Sequence, residues 1–200
     1  PAGPQWGEAA AARSGRAVPR ILLLGHLRSI VTVDGMRVFA RHVLPVLDRE
    51  LGPDGYELRI VGGYDLPPEL DAAFRRPGTT FAGHTEEPED ELRAADCLVV
   101  PTSIPLGIRV RIITAFSLGC PVVTHAANAL GTPELAHDAN ALVAADGPAL
   151  AREVVRALRD PELRARIGAG GRRTWEEGFS PAVAGGALLD GLAAVAEAAA

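Results

Sequence analysis

The sequence predicts an α/β fold: a doubly wound, Rossmann-like parallel sheet followed by a helical carboxyl-terminal segment. Three observations lead there. From Arg20 onward, short apolar runs alternate with helical patterns. Most runs are continuously apolar, as in parallel strands covered on both faces. Turn residues mark the changes, at Gly62-Gly63, Pro67-Pro68, Pro77-Gly78, Gly83, Pro101 and Gly119. Such βαβα alternation argues for a doubly wound sheet.

Residues 1–19, rich in Ala, Gly, Pro and Arg with Trp6 as an anchor, read as a linker or arm ahead of one domain over 20–200. The first strand, Ile21–Leu24, ends at Gly25. A helix is expected over about 34–51, because Phe39, Val43 and Leu47 recur at i, i+4 and i+8 as a core-facing stripe. Pro45 falls inside it and should kink it or open a new turn. The further strands are Glu57–Val61, Thr79–Ala82, Cys97–Val100, Pro121–Thr124 and Ala141–Ala144. Helical stretches at about 67–75, 87–95, 108–118 and 147–159 fall among them. Near the end, Asp160-Pro161-Glu162 has proline at a first helical position and acid in the first turn, and Phe179-Ser180-Pro181 repeats the start signal. There is no internal repeat.

Composition bounds the function. The chain has 200 residues, 48% hydrophobic and 22% charged, which suits a globular domain with a single large core. All 20 basic residues are arginine, and 25 acidic residues leave a formal charge of −5. That balance argues against a general nucleic-acid or anionic-membrane binder, so any anion must be held locally by arginines and backbone amides. Cys97 and Cys120 border apolar runs and read as buried thiols; no metal-ligand spacing is present. No stretch approaches a membrane span, and the first residues lack the charged start and apolar stretch of a signal peptide. The expected location is a reducing cytoplasm, and the arginine- and alanine-rich usage suggests a GC-rich bacterial genome. Pro1 suggests a piece of something longer.

In an open α/β sheet the ligand lies beyond the carboxyl ends of the strands, so the segments that follow each strand matter most. After the first comes Gly25-His26-Leu27-Arg28-Ser29 and a loop to Asp34-Gly35, where amides could face a phosphate or form an ordinary turn. His26 and Arg28 could contact an anion or be solvated. The strongest segment runs from Pro101 through Gly107 to a helix with Arg109 and Arg111 in its first turns. Cations there oppose the helix dipole and make sense if an anion lies between them; otherwise one covers apolar surface while the other is solvated. After the next strand, Gly131 turns the chain, Thr132 could cap a helix, Pro133 could take its first position and Glu134 its first turn. Glu134 and Thr114 could contact hydroxyls at the ligand edge, or Glu134 could simply complement the dipole. His84, past the third strand, could approach a base or ribose or merely line the crevice. His42 and His137 read as surface or helix histidines. No Ser-His-Asp order, metal cluster or pair of catalytic carboxylates emerges.

In this order the segments resemble the carboxyl-terminal, nucleotide-sugar-binding domain of GT-B fold, group 1 (family-4 type) glycosyltransferases. The likeness includes Ile-Leu-Leu-Leu-Gly-His-Leu, Leu-Arg-Ile-Val-Gly-Gly, Phe-Ala-Gly-His and Leu-Arg-Ala-Ala-Asp-Cys-Leu-Val-Val-Pro. It continues through Thr-Ala-Phe-Ser-Leu-Gly-Cys-Pro-Val-Val, Gly-Thr-Pro-Glu-Leu and Leu-Arg-Asp-Pro-Glu-Leu-Arg-Ala-Arg-Ile-Gly. It implies that Gly25 is the first phosphate-loop glycine, Gly107 opens the donor-site helix and Glu134 is the glutamate of a Pro-Glu segment. The family's loop arginine is His26 here, and its lysine is Asp34. Both glutamates of the family's spaced pair are missing, replaced by Leu106 and Thr114. Thr114 can offer the ribose only a neutral hydrogen bond. A divergent subgroup with a Gly-x-Arg-x-Arg pattern is implied, in which Arg109 and Arg111 carry the diphosphate.

What the resemblance implies is the donor-binding half of a retaining hexosyltransferase of polysaccharide or glycoconjugate synthesis. Its partners would be a nucleoside-diphosphate sugar and a separate amino-terminal domain that binds the acceptor, with no cofactor or metal. Diphosphate would be held by Gly25, His26, Arg28, Gly107, Arg109 and Arg111, and ribose, sugar or base by His84, Thr114 and Glu134. The location would be cytoplasmic, peripheral to the inner membrane through the missing domain. The alternative is a degenerate, non-catalytic domain kept as a structural or regulatory partner. An epimerase would need cleft carboxylates, and a dehydrogenase would need the dinucleotide fingerprint after Gly25; neither is present.

Overall fold

A computed structural model of the chain describes residues 16–186. The expected Trp6 anchor lies outside them. Six strands, β1 (Arg20–Leu24), β2 (Glu57–Val61), β3 (Thr79–Gly83), β4 (Cys97–Val100), β5 (Val122–His125) and β6 (Leu142–Ala144), form one sheet. Their order is β3-β2-β1-β4-β5-β6 and every pairing is parallel. That is the doubly wound order expected from the alternation, with its topological switch point between β1 and β4. Leu22 pairs with both Arg59 and Leu98, so the first strand lies at the centre of the sheet. Ile21, Leu22, Leu58, Ile60, Leu98, Val122 and Val123 are essentially unexposed, which accounts for the unbroken apolar runs.

Helices cover both faces: α1 (Ile30–Val38), α2 (Leu44–Leu51), α3 (Pro68–Phe74), α4 (Pro88–Ala94), α5 (Val110–Ser117), α6 (Gly147–Arg159) and α7 (Pro161–Gly178). Two core clusters result. One packs Phe39, Leu47, Phe74, Leu150 and Val154 against Leu58 and Val99; the other packs Leu92, Ile112 and Phe116 against Leu22 and Leu98.

The expected helix over 34–51 begins earlier and is interrupted. It starts at Ile30 because Ser29 caps it, its side chain accepting the Thr32 amide at 3.1 Å. Pro45 acts through the turn before it. Residues Phe39–Val43 widen into a π-turn, and the Leu44 amide donates to the Phe39 carbonyl, five residues back. With no amide of its own, Pro45 then occupies a first-turn position of α2. Phe39, Val43 and Leu47 stay buried across this break.

A second correction concerns residues 132–136, which form turns rather than a helix. The Leu135 amide closes one turn on the Thr132 carbonyl, after which Asn140 accepts the Ala136 amide and donates to the Glu134 carbonyl at 2.7 Å. Those side-chain bonds satisfy backbone groups that a helix would otherwise pair. At the carboxyl end the start signals hold: Asp160 accepts the Leu163 amide at 2.8 Å, and a helix over 181–186 follows Ser180. Among the described residues no helix is long and apolar enough to cross a membrane.

Candidate functional site at the switch point

The carboxyl ends of β1 and β4 meet at the switch point, so the loops that leave them share one edge. Gly25 leaves β1 with its amide bonded to the Val61 carbonyl at 2.9 Å. A Cβ there would lie 2.3 Å from Nη1 of Arg111 and 2.9 Å from Oγ1 of Thr32, so only glycine lets these groups close in.

From β4 the chain runs through Pro101 and an irregular stretch in which Gly107 takes a φ of 57°. Helix α5 starts at Val110, two residues later than expected, with Arg109 as the residue before it and Arg111 in its first turn. The two arginines have distinct surroundings. Nε of Arg109 donates to Oδ1 of Asn128 at 2.8 Å and its Nη2 to the Ile104 carbonyl at 2.9 Å. Asn128, itself buried, donates to Thr124, Val100 and His125, so Arg109 is braced against the end of β5. Arg111 reaches across to β1, where Nη1 donates to the Leu24 carbonyl, while its buried Nε has no partner.

Among the described residues neither arginine has a carboxylate within ion-pair distance. Burial, and secondly the charge of Arg109, pull Arg111 down to about 10; burial also lowers Arg109. Both remain cations at neutral pH, held beside the amino terminus of α5. Helices α1 and α5, which begin at the switch point, have no acid in the first turn, whereas α3 carries Glu69 and Asp71 and α4 carries Glu89, Asp90 and Glu91. Helices α2 and α6 likewise have no acid in the first turn, and a helix start without counter-charge can accept an anion.

Asp34 lies within α1, not in the loop ahead of it. It accepts from the Ser103 amide at 2.7 Å and the Thr102 hydroxyl at 3.0 Å, so it fastens α1 to the β4–α5 loop. His125, which ends β5, is lowered by burial, against the pull of Asp34 and Asp146.

A cavity of about 620 Å³ opens on the other side of Gly25, across the ends of β1, β2 and β3. His26 and His84 line it, together with Tyr64 and Thr85. Its size falls within the range of small-molecule sites. Arg28 does not join Arg109 and Arg111: its guanidinium lies 4.8 Å from the centre of the Tyr64 ring. Thr114 is turned back on its own helix, donating to the Val110 carbonyl at 3.0 Å, and Leu106 is 56% exposed. Glu134 is exposed in the turn that replaces the expected helix, and its carbonyl is held by Asn140. Among the described residues no three His, Cys, Asp or Glu side chains are grouped to hold a metal. Asn128 and Tyr64 escaped the sequence reading. The position of Tyr64 directly after Gly62-Gly63 at a strand end was the available signal.

Residues 18–160 match the family profile of glycosyl transferases group 1. The chain belongs to that family. Comparison with curated protein sequences gives no match. Among solved structures, Anabaena HepE in complex with UDP and glucose aligns over 94% of this chain and 52% of its own, at 17% identity and a TM-score of 0.73. Sucrose-phosphate synthase from Thermosynechococcus elongatus aligns over 100% of this chain and 52% of its own, at 22% identity and a TM-score of 0.72. The carboxyl-terminal domain of the Francisella tularensis group 1 protein LpcC aligns over 86% and 93%, at 17% identity and a TM-score of 0.66. This group 1 glycosyltransferase chain therefore spans about half the length of the first two. Its fold is that of GT-B glycosyltransferases.

Proposed function

We propose that this chain is the donor-binding half of a hexosyltransferase acting in polysaccharide or glycoconjugate synthesis. It would hold a nucleoside-diphosphate sugar at the switch point, and an amino-terminal domain would present the acceptor. The observation that carries the reading is the Arg109–Arg111 pair, two partly buried cations with no carboxylate partner among the described residues. The diphosphate lies over Gly25, and the arginines with the first amides of α5 stabilise the charge that builds on it as the sugar departs. Arginine takes the place of a divalent cation, so donor binding is insensitive to chelators. The family resemblance adds retention at the anomeric carbon and a cytoplasmic setting, peripheral to the inner membrane through the acceptor domain.

Titration calorimetry with UDP, GDP and their hexose conjugates tests this. Saturable binding to at least one is expected, and no binding to any at millimolar ligand overturns it. The loss of both family carboxylates, at Leu106 and Thr114, favours a second reading, a non-catalytic domain that partners an active transferase. Nucleotide-independent capture of such a transferase, with no nucleotide binding, would select it.

A further inference from the structure

Tyr64 is a bulky, non-glycine residue with a φ of 77°, in the left-handed region. Glycine or asparagine adopts that conformation with less steric cost, and two glycines immediately precede it. Burial does not offset the cost, because the residue is 60% exposed. Its ring is nonetheless fixed, 4.7 Å from the His26 ring and beneath the Arg28 guanidinium at 4.8 Å. Tyr64 thus stands as a supported aromatic plate at the wall of the 620 Å³ cavity. Gly25 lines both this cavity and the smaller hollow walled by Arg111, so the two adjoin at Gly25. A strained residue held by its neighbours at a cavity mouth points to a role in binding.

We infer that Tyr64 is the stacking surface for the base of the nucleotide, an affinity-determining residue braced by His26 and Arg28. The inference rests on the donor-site reading above. With the diphosphate over Gly25 and against Arg111, the base falls toward Tyr64, in the cavity that His84 and Thr85 also line. Stacking on a tyrosine face tolerates any base, so Tyr64 supplies affinity, and selection among bases falls to His84 and Thr85, which line the same cavity.

The test uses the 200-residue chain, titrated with UDP, GDP and inorganic pyrophosphate. Stacking of one base on an aromatic side chain corresponds to roughly 5- to 150-fold in affinity. Tyr64→Ala should therefore weaken UDP and GDP by about tenfold or more, leave pyrophosphate unchanged, and be rescued by Tyr64→Phe. Tyr64→Gly removes the backbone strain, so it should raise the melting temperature while weakening the nucleotides as Tyr64→Ala does. A merely structural tyrosine would give the opposite: a lower melting temperature in Tyr64→Gly and equal losses for pyrophosphate and nucleotides. If wild type binds UDP and Tyr64→Ala binds it within twofold of wild type, this inference falls while the donor reading stands. If wild type binds none of the three, both fall.

Discussion

The two edges of the sheet use arginine in opposite ways. At the amino-terminal edge, Asp96 accepts from Arg16 at 2.7 Å and from the Arg20 amide at 2.8 Å, with Arg164 at 3.6 Å. Arg20 grips Glu57 at 2.9 Å, and Arg76 grips Asp48, which also accepts from Tyr56. There the Asp48 hydrogen bond raises Arg76 above its ordinary value, and the Arg76 hydrogen bond holds Asp48 below its own. At the carboxyl-terminal edge the order is reversed, since Arg109 and Arg111 are lowered and, among the described residues, neither has a carboxylate within ion-pair distance. Each arginine of the first edge has a carboxylate partner within the chain. The second carries uncompensated charge, tolerable if an anion supplies the missing partner.

The sharpest way to break this comparison is to remove the unpaired cations. Arg109→Ala with Arg111→Ala should lower UDP affinity on the order of 100-fold or more, since each charge-assisted hydrogen bond contributes about 1.5–3 kcal/mol. Bare uridine should be affected far less, and calorimetry with both ligands checks this. The opposite edge should respond in stability alone. Asp96→Ala strands Arg16 and Arg164, both partly exposed, and should cost about 2 kcal/mol, a fall in melting temperature of roughly 4–8 °C. UDP affinity at a temperature where the variant is folded should stay within twofold of wild type, and a larger change would join the two edges functionally.

Titration sharpens the contrast further. With its folded value near 10, below that of the free side chain, Arg111 binds fewer protons in the folded chain between the two values. Its contribution therefore favours folding as pH rises through that window, while its attraction for the diphosphate fades. UDP affinity should be level from about pH 7 to 9 and then fall by up to about tenfold per unit above 10, read by calorimetry. Asp48 behaves oppositely: its lowered value gives stability that is full above 3.8 and lost as pH falls through the folded value. The smallest effect expected is a gain. Thr114→Glu restores a carboxylate at the family's ribose position and should tighten UDP by about fivefold, roughly 1 kcal/mol, without altering pyrophosphate binding.

Legibility in the sequence varied with the range of the interaction. Helix starts at Asp146, Asp160 and Ser180 depend on residues three or four positions on, and those near Asp160 and Ser180 were readable as such. At 132–136 the same local logic failed, because Asn140, just beyond the segment, takes over the hydrogen bonds a helix would have made. Helix α1 starts before the stretch its apolar stripe indicates, because Ser29 is a cap only if the chain turns immediately after β1. Arg109 and Arg111 were legible as charges in an unfavourable place, whereas their lack of a partner is a property of the folded edge.

Residue pattern and composition establish the class of fold, the strand ends at which a ligand could sit, and the local nature of any anion site. Continuous apolar runs report burial on both faces, and a lysine-free chain with net negative charge leaves only clustered arginines for the task. Tertiary structure alone decided that β1 lies between β2 and β4, which brings Arg111 onto the Leu24 carbonyl from 87 residues away. It also decided that Tyr64 meets His26 and Arg28, and that Asp34 holds Ser103. Periodicity encodes which face of an element is buried, but which element lies beside it depends on long-range strand pairing, and the site is built from those pairings.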